Sequence, residues 1–285
     1  VASLWQVFQY LMHHAVPTTL VVVPLWFAVR CCQRDEADRE TLLTWTMEQM
    51  TVEKCLMNVV VPPSIAKRLR QGELQIADHY ENTTVMFIYL MDYEEVLTNH
   101  GPFKTLEWVN ELQVQLDGVV SHSQSSVLKL QSFLNFYLVV AGCNQSTHTA
   151  QHAQHAVRAA VMMLTSAKRV STPGGKPTTL KVGLCSGMLC AGNIGQASPR
   201  FSIFGDTVNT ASRMASTTPP SSGGTMTMQL TESCKALLPP AFLHTFRHVG
   251  FQLTARASKT PIKGKGLMQT YLLSTSPRPE ADIKA

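Results

Sequence analysis

Residues 83–90 read Thr-Thr-Val-Met-Phe-Ile-Tyr-Leu, a short uncharged run of β-branched, aromatic and aliphatic side chains. That length and composition reads as a buried strand. The segments after residue 90 fix the class of fold. Leu106–Val120 has helical periodicity, and Val127–Gly142 reads as two strands with a tight turn near Ser132–Asn135. His152–Ala167 is a helix rich in Ala, Val and Met, and Ser171–Pro177 is a loop. Leu180–Cys185 and Met188–Ile194 read as two strands, with Gly183, Gly187, Gly192 and Gly195 marking turns or close backbone approach. Thr207–Ser216 is a short helix, Pro219–Gly224 a loop, and Thr260–Leu273 a Gly/Lys turn followed by a strand. The order strand–helix–strand–strand–helix–strand predicts an α+β domain with a ferredoxin-like split βαβ core.

Composition excludes several alternatives. With 45% hydrophobic and 15% charged residues among 285, neither long disorder nor a charged coiled-coil rod fits. Lys plus Arg number 24 against 19 Asp plus Glu, a net +5 that is too weak to argue for a nucleic-acid partner. The seven cysteines are scattered and odd in number, which argues against a disulfide scaffold and for a reducing compartment.

The front of the chain has a different character. Residues 1–29 contain no Asp, Glu, Lys or Arg, and Leu11–Val29 reaches the length of a membrane span. Residues 1–29 are therefore expected to be the end of a transmembrane region. Arg30 and Arg34 come immediately after, which places the residues beyond about 30 in the cytoplasm. Residues 30–58 are expected to form a helical stalk, with Leu43, Met47 and Met50 recurring at spacings of four and three. A domain over 59–275 and a solvated tail over 276–285 complete the expected layout. The chain opens with Val, so it is read as a fragment or processed product.

Four segments carry a resemblance. They are Asn58-Val-Val-Val-Pro-Pro-Ser-Ile-Ala66, the Gly-spaced stretch Gly183–Gly195, Phe204-Gly-Asp-Thr-Val-Asn-Thr-Ala-Ser-Arg-Met-Ala-Ser-Thr217, and Ile262-Lys-Gly-Lys-Gly266 with Tyr271 beyond it. Together, over roughly residues 55–275, they resemble the catalytic domains of class III nucleotidyl cyclases, the adenylyl and guanylyl cyclases. In that family the ribose 3′-oxygen of a nucleoside triphosphate attacks its own α-phosphate and pyrophosphate leaves. The resemblance implies sites built across a dimer interface. One subunit's two carboxylates hold two divalent ions, Mg or Mn, and the other's Asn and Arg position the ribose and neutralise developing charge.

Carried over residue by residue, the resemblance makes Asn209 the ribose-orienting amide and Arg213, one helical turn on, the transition-state guanidinium. Lys263 or Lys265 would bind the triphosphate, and spacing does not choose between them. The metal side departs from the family. Where the family has F-x-D, this chain reads Phe87-Ile-Tyr89, and where it has K-x-E-T-x-G-D, this chain reads Lys129-Leu-Gln-Ser-Phe-Leu-Asn135. Tyr89 and Asn135 thus stand at the two metal positions, and a phenol and a neutral amide do not replace two carboxylates. Asp92 is near but would face away from Tyr89 if the strand continued. The base-reading pair is Gln131 and Ser202, which selects neither purine, although the Phe204–Thr217 motif leans to the guanylyl type.

Of the remaining candidates, His152 and His155 read as core or solvated histidines, and Cys185 and Cys190 as buried side chains on adjacent strands. Met162, Met163 and Leu164 read as core, and Asp206 as a cap for the helix from Thr207. Two functions fit these residues. The first is the substrate-binding half of a heterodimeric or tandem cyclase, whose metal ions come with a second cyclase domain. The second is an inactive cyclase-like domain that binds nucleotide or supports dimerisation.

Overall fold

The computed structural model describes residues 3–10, 16–60, 63–73, 76–123, 126–143, 151–194, 200–219 and 225–275. The chain divides into two compact units, Val1–Val60 and Val61–Ala285. The first holds α1 (Leu4–Tyr10) and the 45-residue helix α2 (Val16–Val60). Among the described residues no helix is long and apolar enough to cross a membrane. The span expected over residues 1–29 is therefore not supported. Residues 11–15 lie outside the described set, and α2 opens on Pro17, Thr18 and Thr19, carries Pro24, and runs unbroken into the charged stretch from Arg30. No break at residue 29 separates a span from a stalk, and Leu43, Met47 and Met50 are exposed on α2.

The second unit contains, in order, α3 (Pro63–Arg70), β1 (Ala77–Leu90), α4 (Tyr93–His122), β2 (Val127–Phe133), β3 (Phe136–Ala141) and α5 (His152–Ala167). Then come β4 (Leu180–Ile194), β5 (Arg200–Phe204), α6 (Asp206–Ser216), β6 (Thr227–Thr231), α7 (Glu232–Ala236) and α8 (Pro240–His248). The strands β7 (Phe251–Ala255), β8 (Thr260–Ile262), β9 (Gly266–Met268) and β10 (Thr270–Thr275) close it. The main sheet runs β2-β3-β1-β4-β6-β10-β7, with β5 paired to β4. Its first four strands are all antiparallel neighbours. That is the split βαβ arrangement expected from the sequence, with β1 at its centre.

The strand read from residues 83–90 is buried on both faces. Met86 and Ile88 pack in one core with Trp108, Leu112 and Leu116 of α4 and Ala156, Ala160 and Met163 of α5. Val85, from the opposite face, joins Ile65 of α3, Leu138, Val140 and Leu189 in a second core that also takes Ala211 of α6. The polar atoms between β1, β4 and α5 are satisfied among themselves. Thr84 Oγ1 lies 2.7 Å from His152 Nδ1 and 2.7 Å from Ser186 Oγ. The expected core histidine is thus His152. In α4, Gly101 (φ 78°) and Pro102 interrupt the helix, because Pro102 has no N–H to continue it.

Several expectations need correction. The two strands read at 180–185 and 188–194 are one strand, β4, and its glycines mark close approach rather than turns. At Gly183 a side-chain carbon would fall 2.0 Å from the Ala215 nitrogen, so α6 lies directly on the strand. Cys185 and Cys190 share β4; Cys185 is buried, whereas Cys190 is exposed, 3.6 Å from His79 Nδ1 on β1. Met163 and Leu164 are core but Met162 is 46% exposed, because it points off the buried stripe of α5. Gly195 and 220–224 of the expected loop lie outside the described residues, as does the expected tail over 276–285.

Candidate active site

Helix α6 supplies one half of the site. Its buried stripe is Thr207, Thr210, Ala211, Met214 and Ala215, and Thr207 Oγ1 donates to the Met188 carbonyl at 2.6 Å. That stripe seats the helix on β4 and leaves Asp206, Asn209 and Arg213 at i, i+3 and i+7, along one face. Asn209 is exposed and Arg213 half-buried. Asp206 is not the helix cap expected of it. Gly205 (φ 143°) occupies the cap position and no side chain caps the helix, while the Asp206 carboxylate pairs with Lys265 Nζ.

Lys265 comes from the turn between β8 and β9. Its N–H donates to the Ile262 carbonyl at 2.9 Å, and Gly264 (φ 78°) and Gly266 (φ 73°) supply the positive φ that the turn needs. A side-chain carbon at Gly264 would sit 3.8 Å from Arg213 Nη1, so the turn backbone lies against the guanidinium. Lys265 stands at the first turn of α6 and Gly264 at its last, with Asn209 between them. Neither the Arg213 guanidinium nor the Lys263 ammonium forms a hydrogen bond or ion pair with any described residue. The structure therefore gathers Asn209, Arg213 and Lys265 on one surface and distinguishes the two lysines by the partner of one.

The other half lies at the end of β1. Tyr89 and Asn135 line one cavity of about 370 Å³ with Asp92, Tyr93, Glu94, Glu95, Lys181 and Ser216. Register brings the two family metal positions together, since Tyr89 pairs with Phe136 and the Leu90 N–H donates to the Asn135 carbonyl at 2.8 Å. Leu134, where the family has Gly, adopts φ 43° in that turn. The Tyr89 hydroxyl lies 2.8 Å from Ser212 Oγ, one residue before Arg213. The expected facing of Asp92 is corrected: β1 ends at Leu90, Asp92 turns to φ 60°, and it opens into the same cavity. Nothing in the sequence signals where the strand stops, so the placement of Asp92, Glu94 and Glu95 at this cavity escapes a reading of residues alone.

Lys129, the one residue kept from the start of the second metal motif, has a structural role. Its Nζ bonds Asp117 at 2.7 and 2.9 Å and sits 4.8 Å from the Tyr137 ring centre. The Tyr137 phenol also donates to Asp117, and burial first, then that carboxylate, pushes its pKa well above the usual phenol range. Gln131 and Ser202 lie on β2 and β5 and make no hydrogen bond to each other; Gln131 is exposed and Ser202 half-buried.

The family model for the adenylate and guanylate cyclase catalytic domain matches residues 76–275. The chain belongs to that family. Guanylate cyclase soluble subunit beta-2 of Rattus norvegicus is 30% identical over 247 residues, covering 85% of this chain and 33% of that protein. Guanylate cyclase 32E of Drosophila melanogaster is 31% identical over 228 residues, covering 79% of this chain and 18% of that protein. The cyclase-family chain thus spans a third or less of these relatives. The guanylate cyclase domain of RhGC from Catenaria anguillulae, solved in complex with GTP, superposes with a TM-score of 0.59 at 27% identity, covering 70% of this chain and 98% of that one. The adenylyl cyclase CyaB from P. aeruginosa shares the fold at a TM-score of 0.59 and 17% identity, covering 71% and 98%.

The two family metal positions carry no carboxylate in this chain. Tyr89 spends its hydroxyl on Ser212 and Asn135 offers a neutral amide. Among the described residues no three His, Cys, Asp or Glu side chains converge to hold a metal.

Proposed function

We propose that this chain is the substrate-binding half of a heterodimeric or tandem nucleotidyl cyclase, forming a cyclic nucleotide and pyrophosphate with a second cyclase domain. One observation carries the reading: a half-buried Arg213 whose guanidinium pairs with no described residue shares a surface with Asn209 and Lys265, while Tyr89 and Asn135 stand at the metal positions. The Asn209 amide offers both a donor and an acceptor for the ribose hydroxyls. The guanidinium fork of Arg213 matches phosphate oxygens and keeps its charge at every working pH. The Mg or Mn ions would be held by the partner's carboxylates. The guanylate cyclases among the relatives support GTP over ATP.

A second reading, a catalytically inactive module for nucleotide binding or dimerisation, is favoured by a different observation. Asp92, Glu94 and Glu95 line the cavity at the end of β1 with Lys181 as its one lining cation, a setting that repels phosphate. The two separate in a turnover assay with GTP or ATP and Mn²⁺. The cyclase reading expects no product from the chain alone, product after a metal-competent cyclase domain is added, and loss of that product with Arg213→Ala. Turnover by the chain alone, or a mixture indifferent to Arg213→Ala, refutes it.

A further inference from the structure

We infer that His244 and His248 form a chelating site for a divalent late transition-metal ion (nickel, copper or zinc) on the solvent face of α8. The site goes beyond the proposed function and uses none of its residues.

Helix α8 reads Pro240-Ala-Phe-Leu-His-Thr-Phe-Arg-His248, so its two imidazoles stand at i and i+4, one above the other. Their ring centres are 4.5 Å apart and the ring planes cross at 77°. An imidazole nitrogen sits about 2.0–2.1 Å from a bound ion, which puts each ring centre about 3.2 Å from it. Centres 4.5 Å apart then subtend about 90° at the ion, the angle between neighbouring ligands of a tetragonal or octahedral site. The helix beneath is fixed. Phe242 and Phe246 are also four residues apart, but they lie on the other side of α8 and are buried. Their rings are 4.7 Å apart, and Phe246 meets Phe251 of β7 edge-on at 6.2 Å. That stripe seats α8 on the sheet and turns His244 and His248, both exposed, to solvent. Two ligands carried on a seated helix lose little freedom when one ion joins them.

The donors select the ion. Helix α8 contains no Asp or Glu, and among the described residues no third His, Cys, Asp or Glu joins the pair. The exposed Arg247 between the two histidines adds positive charge, so the ion is held by nitrogen donation and not by Coulombic attraction. Magnesium, calcium and manganese require oxygen ligands, whereas neutral imidazoles suit nickel, copper and zinc. The chain supplies two nitrogens and water fills the remaining positions.

The test is a calorimetric titration of the full 285-residue chain with Ni²⁺ at about pH 8, which favours deprotonated ligands. His244→Gln and His248→Gln should each weaken one Ni²⁺ site by about 10²-fold or more, because the second nitrogen of a chelate binds within one molecule. The double variant should bind no worse than either single one. A His248→Gln, Val249→His chain keeps the number of histidines but not their spacing, and should not recover the site. Thermal melts give a second readout. Ni²⁺ at about 100 times its dissociation constant should raise the melting temperature of the parent by about 5 °C, reversed by a chelator and absent in both single variants. Mg²⁺ and Mn²⁺ at the same concentration should do neither. Nickel binding unchanged by both single variants overturns the inference, as does recovery of the site in the respaced chain. A loss that is merely additive, each histidine binding its own ion, overturns it too. None of these results bears on the roles of Asn209 and Arg213.

Discussion

Replacing Gly183 by Ala is the most demanding test of how the fold holds the site. An added Cβ would lie 2.0 Å from the Ala215 nitrogen, 2.5 Å from the Met214 carbonyl carbon and 2.6 Å from the Ala211 oxygen. All three are backbone atoms of α6, so no side chain can rotate away. Ordinary contact is about 3.5 Å, so α6 must retreat from β4 by about 1.5 Å. Forced overpacking costs about 1–3 kcal/mol, and with backbone on both sides the upper end applies. At about 2–4 °C per kcal/mol, the melting temperature should fall by about 6–12 °C. Because α6 carries Asn209 and Arg213, a displacement of that size should also lower turnover of the assembled complex by about 10²-fold or more. Gly118→Ala in α4 is the control, since its Cβ would meet nothing within 4 Å. Urea unfolding monitored by circular dichroism reads the first effect and cyclase turnover the second. A Gly183→Ala domain within about 0.5 kcal/mol of the parent, or no less stable than Gly118→Ala, would refute the seating of α6 on β4.

Other consequences are open to measurement. Tyr89→Phe removes the bond to Ser212 and should cost about 0.5–1.5 kcal/mol in urea unfolding; a Phe variant as stable as the parent would show that the contact holds nothing. Arg213→Lys keeps the charge but not the fork, so it should recover only part of the tripolyphosphate affinity lost in Arg213→Ala, and full recovery would contradict a two-point contact. The buried His152 has its pKa pushed down, first by desolvation and then by the charge on His155. Its neutral form is favoured in the folded state, so the stabilisation is complete above the unfolded value of about 6.5 and is lost as pH falls from there toward the depressed folded value. Urea midpoints should therefore drop as the solution is taken from above that unfolded value to about one pH unit below it, and less steeply in His152→Gln; a parent midpoint that stays flat or rises would contradict the buried, neutral assignment.

The parts of the fold that were legible in the sequence are those whose signal is local. The run 83–90, the hairpin around Ser132–Asn135 and the Ala-rich helix from His152 each announce themselves within a few residues. Strand β4 did not, because Gly183, Gly187 and Gly192 look like punctuation when read along the chain. Their reason lies across it, in the backbone of α6, in Thr207 and in Ile76. The site divides in the same way. Asn209 and Arg213 were readable from helical spacing and from the resemblance. The pairing of Lys265 with Asp206 spans 59 residues and the bond from Tyr89 to Ser212 spans 123, and no periodicity encodes either. Asp92 reaches the cavity only because the chain leaves β1 at Leu90 and turns through a left-handed residue. A charge-rich helix start gives no warning of that.

The proposed function needs a cationic surface around Asn209 and Arg213 and, among the described residues, no carboxylate at the two metal positions, Tyr89 and Asn135. Electron paramagnetic resonance of Mn²⁺ titrated into the full chain tests this most directly, alongside a Tyr89→Asp, Asn135→Asp double variant. The parent should leave the hexaaquo signal undiminished at micromolar metal, whereas the double variant should bind the ion and broaden the signal. Tight binding of Mn²⁺ by the parent, at a level matching the double variant, would contradict it.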